Sequence, residues 1–125
     1  MAKILFVDDE PLIRTEAAEL LASDGHEVIH AGNGFDALDA LREHKIDLMI
    51  LDVMMPELDG LETIKEVRAE AAPINQTKIL AISNGGQWLD PGLMLRSSAK
   101  LGADEVLQKP FSFEELQARI KMMLG

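Results

Sequence analysis

The 125-residue chain has no cysteine and no tyrosine, and its aromatic content is four phenylalanines and one tryptophan. Without cysteine, a disulfide scaffold, a thiolate zinc site and a cysteine nucleophile are all excluded, and nothing calls for an oxidising compartment. No stretch approaches the roughly 18 to 20 continuous apolar residues of a membrane span. Met1-Ala2-Lys3 runs straight into a strand-like segment instead of a signal peptide, so a soluble, cytoplasmic chain is expected. Positive charge is also scarce: 12 Lys and Arg stand against 22 Asp and Glu, a formal charge of −10. With no local Lys/Arg cluster, that charge repels phosphate backbones and anionic lipid, which disfavours direct nucleic-acid or membrane binding by this chain. The length suits one domain, residues 1–125.

What is present is a regular alternation. Ile4-Leu5-Phe6-Val7, Leu48-Met49-Ile50-Leu51 and Ile79-Leu80-Ala81-Ile82 are continuous apolar runs, with shorter ones at Val28-Ile29 and Val106-Leu107. Runs without polar alternation suit strands covered on both faces, as in a parallel sheet. Between them, Ile13, Ala17, Leu20 and Leu21 share a helical face, as do Ala37, Leu38 and Leu41, Leu61 with Ile64, and Leu116 with Ile120, Met123 and Leu124. Pro11 suits a first helical turn, Gly25 a helix end, and Ser112 with Glu115 a capping box. A fourth helix over roughly 91–101 has the most ragged stripe, built on Leu95 and Ala99. Five consecutive βα units imply right-handed crossovers and an α/β fold with an open, doubly wound sheet. Ligands of such sheets bind at the carboxyl ends of the strands, so function is sought just after each apolar run.

Asp8, Asp9 and Glu10 follow the first run, Asp52 the third, Ser83 the fourth, and Lys109-Pro110 the fifth. Singly, each has an ordinary reading: Asp9 or Glu10 as a helix N-cap before Pro11, Asp52 as a turn residue, Ser83 as a loop cap, Lys109 as a solvated surface group. The set is not explained that way. Three carboxylates, a hydroxyl and an ammonium converge on one edge, and crowded carboxylates repel unless a positive charge sits among them. Mg²⁺, which prefers oxygen ligands, fits that donor set, whereas His26, His30 and His44 are not at ligand spacing.

With Asp8-Asp9 before it and Lys109-Pro110 after it, the segment Leu51-Asp52-Val53-Met54-Met55-Pro56-Glu57-Leu58-Asp59-Gly60 resembles the receiver domain of two-component response regulators, and the resemblance covers the whole chain. It implies the flavodoxin-like strand order 2-1-3-4-5. It also implies that Asp52 accepts a phosphoryl group from a sensor histidine kinase or histidine phosphotransfer protein. Asp8, Asp9, Asp52 and the Met54 backbone carbonyl would hold Mg²⁺, and Ser83 and Lys109 would bind phosphoryl oxygens. Pro110 is a candidate for a cis peptide bond, and Asp59-Gly60 reads as a turn into the third helix.

Three departures from the family pattern stand out. Asn84 replaces the usual Ala or Gly beside the phosphoryl pocket and bears on access to it. The path from Ser83 to Lys109 is lengthened by Gly85-Gly86-Gln87-Trp88 and Asp90-Pro91-Gly92. Val106 stands where many receivers carry Tyr or Phe, so the usual coupling of hydroxyl and aromatic ring is not available, and switching is expected through the long loop and the fourth helix. The leading expectation is a single-domain response regulator, not a conventional enzyme, whose fourth-helix, fifth-strand and fifth-helix face changes its affinity for a partner protein. The rivals are a receiver cut from a longer DNA-binding regulator, a non-phosphorylated interaction module of the same fold and an aspartyl-phosphate phosphatase.

Overall fold

The five apolar runs become five parallel strands separated by five helices: β1 Lys3–Val7, α1 Pro11–Ser23, β2 Glu27–Ala31, α2 Gly34–Glu43, β3 Leu48–Asp52, α3 Gly60–Ala69, β4 Lys78–Ser83, α4 Pro91–Leu101, β5 Glu105–Gln108 and α5 Phe113–Leu124, with a 3₁₀ turn at Ile74–Gln76. The computed structural model describes residues 2–53, 60–83 and 91–125, with the backbone alone for Ser83 and for 91–95. The sheet order is β2-β1-β3-β4-β5. This is the implied 2-1-3-4-5 arrangement.

Side chains on successive strand residues point to opposite faces, and here both faces are covered. Leu5, Val7, Met49, Leu51, Ile79 and Ala81 pack with Ala37, Leu41, Ile64 and Val67 of α2 and α3. Ile4, Phe6, Leu48, Ile50, Leu80 and Ile82 pack on the other face with Ala17 and Leu21 of α1 and Leu116, Ile120 and Met123 of α5. That is why β1, β3 and β4 read as unbroken apolar runs. β2, at the sheet edge, is only partly covered, which accounts for its shorter run.

Two helical positions depart from the expected stripes. Leu20 is 44% exposed while Leu21 is fully buried, because the core-facing arc of α1 runs through Ala17 and Leu21. On α4, Ala99 is exposed and the neighbouring Ser98 is buried, so the expected pairing of Leu95 with Ala99 does not describe the inward face.

Local punctuation follows the sequence closely. Pro11 opens α1, Gly25 follows its end at φ +89°, and Ser112 and Glu115 form a reciprocal capping box on α5. The far end of α3 is tied down by Arg68. Its guanidinium donates to the carbonyls of Gly102 at 2.9 and 2.6 Å, Asn75 at 2.9 Å and Thr77 at 2.7 Å, and to Asp104 Oδ2 at 2.9 Å. Asp104 Oδ2 also accepts the Ile79 amide at 2.8 Å, so one arginine joins α3, the α4–β5 turn and the start of β4.

Candidate phosphoacceptor and metal site

β1 and β3 are neighbours, and their last paired residues are Val7 and Leu51. Asp8 and Asp52 therefore emerge side by side. From β1 the chain crosses through α1 to β2 on one side, and only after α2 does it reach β3 on the other. The connections after β1 and β3 diverge there, and the divergence opens the crevice in which doubly wound sheets bind ligands.

Asp8 has no exposed surface and Asp52 is 7% exposed. Nearly every polar atom of Asp8 is held. Its amide donates to Ala31 O at 3.1 Å, its carbonyl accepts from Arg14 Nη1 at 2.6 Å, and its Oδ1 accepts from the Glu10 amide at 3.0 Å. Its Oδ2 is buried and has no hydrogen-bond partner. Lys109 Nζ lies 3.7 Å from that oxygen and 3.8 Å from Asp52 Oδ2, attracting both carboxylates without a short hydrogen bond to either.

Asp9 is exposed at the rim, and Asp8, Asp9 and Asp52 each place a carboxylate oxygen within 4.8 Å of the others. Three negative charges face one ammonium. Buried charge is costly unless paired and hydrogen-bonded, and a buried acceptor left without a partner carries its own desolvation penalty. A buried carboxylate oxygen without a hydrogen bond, on a residue grouped with two further carboxylates and, among the described residues, without nitrogen or sulfur ligands, belongs to a donor set suited to a hard divalent cation. The residues present fit Mg²⁺.

The backbone beneath Asp52 is braced as tightly. The Val53 amide donates to Ile82 O at 3.0 Å. A Cβ added to Gly60 would lie 2.2 Å from Val53 Cα and 2.8 Å from Asp52 O. Glycine is therefore required there so that the first turn of α3 can press against the main chain carrying Asp52. The sequence marked Gly60 as a turn residue; its role here is close approach.

The ordinary readings fare unevenly. Glu10 occupies the N-cap position of α1, but its side chain makes no capping bond, and Asp8 receives the Glu10 amide instead. The Lys109 side chain is only 20% exposed, so it is not a solvated surface lysine. Ser83 ends β4 in register with Gln108. Met54 and Asn84 lie outside the described residues, as does the lengthened loop up to Asp90. The Lys109–Pro110 peptide bond is cis. Val106 is half-buried against the α2/α3 core, and its carbonyl accepts from Arg119 Nη1 at 2.6 Å.

Sequence reasoning passed over Arg14, whose signal was its place one turn after Pro11. A long cation there reaches back over the loop that carries the two acids. It also missed that Asn33 caps α2, its side chain accepting the Asp36 amide at 2.8 Å.

Comparison with known proteins agrees with this geometry. Residues 4–121 match the family model described as the response regulator receiver domain, and the chain belongs to that family. It is 43% identical over 124 residues to the transcriptional regulatory protein CpxR of Escherichia coli K12, covering 99% of this chain and 50% of that protein. It is 40% identical over 122 residues to the alkaline phosphatase synthesis transcriptional regulatory protein PhoP of Bacillus subtilis, covering 98% of this chain and 48% of that one. The chain thus spans about half the length of these relatives. Among solved structures, the chemotaxis protein CheY4 of Vibrio cholerae superposes with a TM-score of 0.85 at 33% identity, covering 99% of each chain. Among the described residues, no helix is long and apolar enough to cross a membrane.

Proposed function

We propose that Asp52 is the phosphoacceptor of a response regulator and that it takes a phosphoryl group from a phosphohistidine donor in a Mg²⁺-dependent transfer. The observation that carries this reading is the cluster of Asp8, Asp9 and Asp52 around Lys109, in which the buried Asp8 Oδ2 has no hydrogen bond. An Asp52 carboxylate oxygen attacks phosphorus, the P–N bond to the donor imidazole breaks, and the electron pair stays on the imidazole nitrogen, which takes a proton from solvent. Lys109, already drawn to both carboxylates, is placed to follow the negative charge onto a phosphoryl oxygen, and the Ser83 hydroxyl is assigned to another. Asp8, Asp9 and Asp52, with the Met54 carbonyl, would hold Mg²⁺, which when bound would offset the negative charge gathered at the site during transfer. Each transfer consumes Asp52 until hydrolysis restores it, so the chain acts as a switch and not as a conventional enzyme.

The donor is assigned as a sensor histidine kinase or a histidine phosphotransfer protein, and the output as altered affinity for a partner protein at the face of α4, β5 and α5. The first reading is a regulator that works as a receiver domain alone, residues 1–125. The chain's half-length match to proteins named as transcriptional regulators supports a second reading, a receiver within a longer regulator of transcription. The size of the native protein on an immunoblot separates the two.

Incubation with Mg²⁺ and acetyl phosphate should add one phosphoryl group, mapped to Asp52 by peptide mass spectrometry. Undiminished labelling of Asp52→Asn would overturn the assignment, and steady turnover of small phosphate esters would favour a phosphatase instead.

A further inference from the structure

We propose that Arg14 is a positioning residue for the metal-binding carboxylate of Asp8, and that Gly32 provides the space in which its guanidinium lies. The inference rests on the Mg²⁺ reading of the Asp8, Asp9 and Asp52 cluster. Asp8 is held through three of its four hydrogen-bonding atoms, and each tie comes from a different place: the amide to Ala31 of β2, Oδ1 from the Glu10 amide in its own loop, and the carbonyl from Arg14 on α1. Together they leave Oδ2 as the one polar atom of Asp8 without a hydrogen bond, 3.7 Å from Lys109 Nζ, which also lies 3.8 Å from Asp52 Oδ2. The Arg14 bond, at 2.6 Å, is the only one of the three supplied by a side chain.

Asp8 has no exposed surface, so water cannot readily replace a donor lost from its carbonyl. Without Arg14 the Asp8 peptide plane is free to turn in search of another donor, and that turn moves Oδ2. Gly32 fits the same reading. A Cβ there would lie 3.2 Å from Arg14 Nη1 and 3.7 Å from Cζ, and φ at Gly32 is outside the left-handed region, so a side chain there would crowd the guanidinium by a few tenths of an ångström without straining the backbone. The Gly32-Asn33-Gly34 turn, which supplies no ligand to the site, thereby acts on it through Arg14.

The test is Mg²⁺ binding by isothermal titration calorimetry on the intact chain, with folding checked by circular dichroism. Removing a partner that orients a metal ligand weakens metal affinity by about 10- to 100-fold, so Arg14→Met should raise the Mg²⁺ Kd about tenfold. Arg14→Lys, which keeps a donor of shorter reach, should lose less. Gly32→Ala, which leaves Arg14 in place but crowds it, should weaken binding by about two- to threefold, a fraction of the same effect. A positioning role raises the Kd even though the substitution removes a positive charge, whose loss by itself would favour Mg²⁺ binding; titration at 0.5 M NaCl screens that opposing term and leaves the positioning effect to be read.

A folded Arg14→Met variant whose Kd at 0.5 M NaCl is the wild-type value or lower overturns the proposal. If Arg14→Met does not fold, wild-type affinity in Gly32→Ala overturns it. A wild-type chain that binds no Mg²⁺ removes the metal reading itself, and this inference with it.

Discussion

Arg68 and Asp8 are both charged side chains set into the interior, and their surroundings are opposite in kind. The Arg68 guanidinium donates to three backbone carbonyls and one carboxylate, an arrangement in which each of its nitrogens is engaged. Asp8 is more deeply buried, yet one of its carboxylate oxygens has no hydrogen bond and shares a single ammonium with Asp52. The first arrangement is complete without any ligand and holds α3 to the α4–β5 turn. The second leaves hydrogen-bonding capacity of Asp8 unused. A buried polar group is therefore informative about function when its hydrogen-bonding capacity is left over, not simply because it is charged.

The contrast can be broken by experiment at several points. The largest expected effect is at the satisfied end: Arg68→Met should destabilise the fold by about 2–4 kcal/mol, since it strands the carbonyls of Gly102, Asn75 and Thr77, while leaving the Mg²⁺ Kd unchanged. Urea unfolding and calorimetric titration read the two quantities separately, and a change in both would show that the two regions are coupled.

Next is the ligand's own contribution. Mg²⁺ at about 100 times its Kd should stabilise the chain by about 2.7 kcal/mol through binding to the native state alone. A melting temperature indifferent to Mg²⁺ would remove the distinction drawn here. Asp8→Asn should abolish that response, yet without metal it should be neutral or stabilising by about 1 kcal/mol, because it relieves repulsion with Asp52. Loss of apo stability in that variant would mean that Lys109 already satisfies the cluster. The smallest effect is a control outside both regions: Leu20→Ser, on the exposed side of α1, should stay within about 0.5 kcal/mol in urea unfolding.

Much of the architecture was legible because it rests on local rules. Unbroken apolar runs marked β1, β3 and β4, since burial on both faces leaves no place for polar alternation. Pro11, Gly25 and the Ser112/Glu115 pair marked helix ends, since each meets a backbone requirement of its own turn. α1 was readable only in part: Leu20 and Leu21 are adjacent and equally apolar, and only the sheet on which the helix lies decides which of them turns inward. Likewise Ala99 suited an inward stripe on α4 until the packing of that helix brought Ser98 to the buried side.

At the site, the order Asp8-Asp9, Asp52, Lys109 along the chain singled out the acids and the lysine, because chemistry placed after consecutive parallel strands collects at one edge. Arg14, Gly32 and Gly60 were less accessible to that reasoning. Their parts depend on distances between segments that are separate in sequence: a guanidinium lying over the β2–α2 turn, and a helix start so close to the chain after β3 that a Cβ at Gly60 would lie 2.2 Å from Val53 Cα.

By itself, the sequence determined the alternation of strands and helices, the excess of acid and the identity of the groups delivered after each strand, because these follow from side-chain chemistry and short-range backbone geometry. Only the tertiary structure decided that Asp8 and Asp52 stand side by side, that Lys109 reaches both, and that one oxygen of Asp8 is left without a hydrogen bond. Those are consequences of strand order and packing, which bring together residues more than forty positions apart and so depend on the chain as a whole.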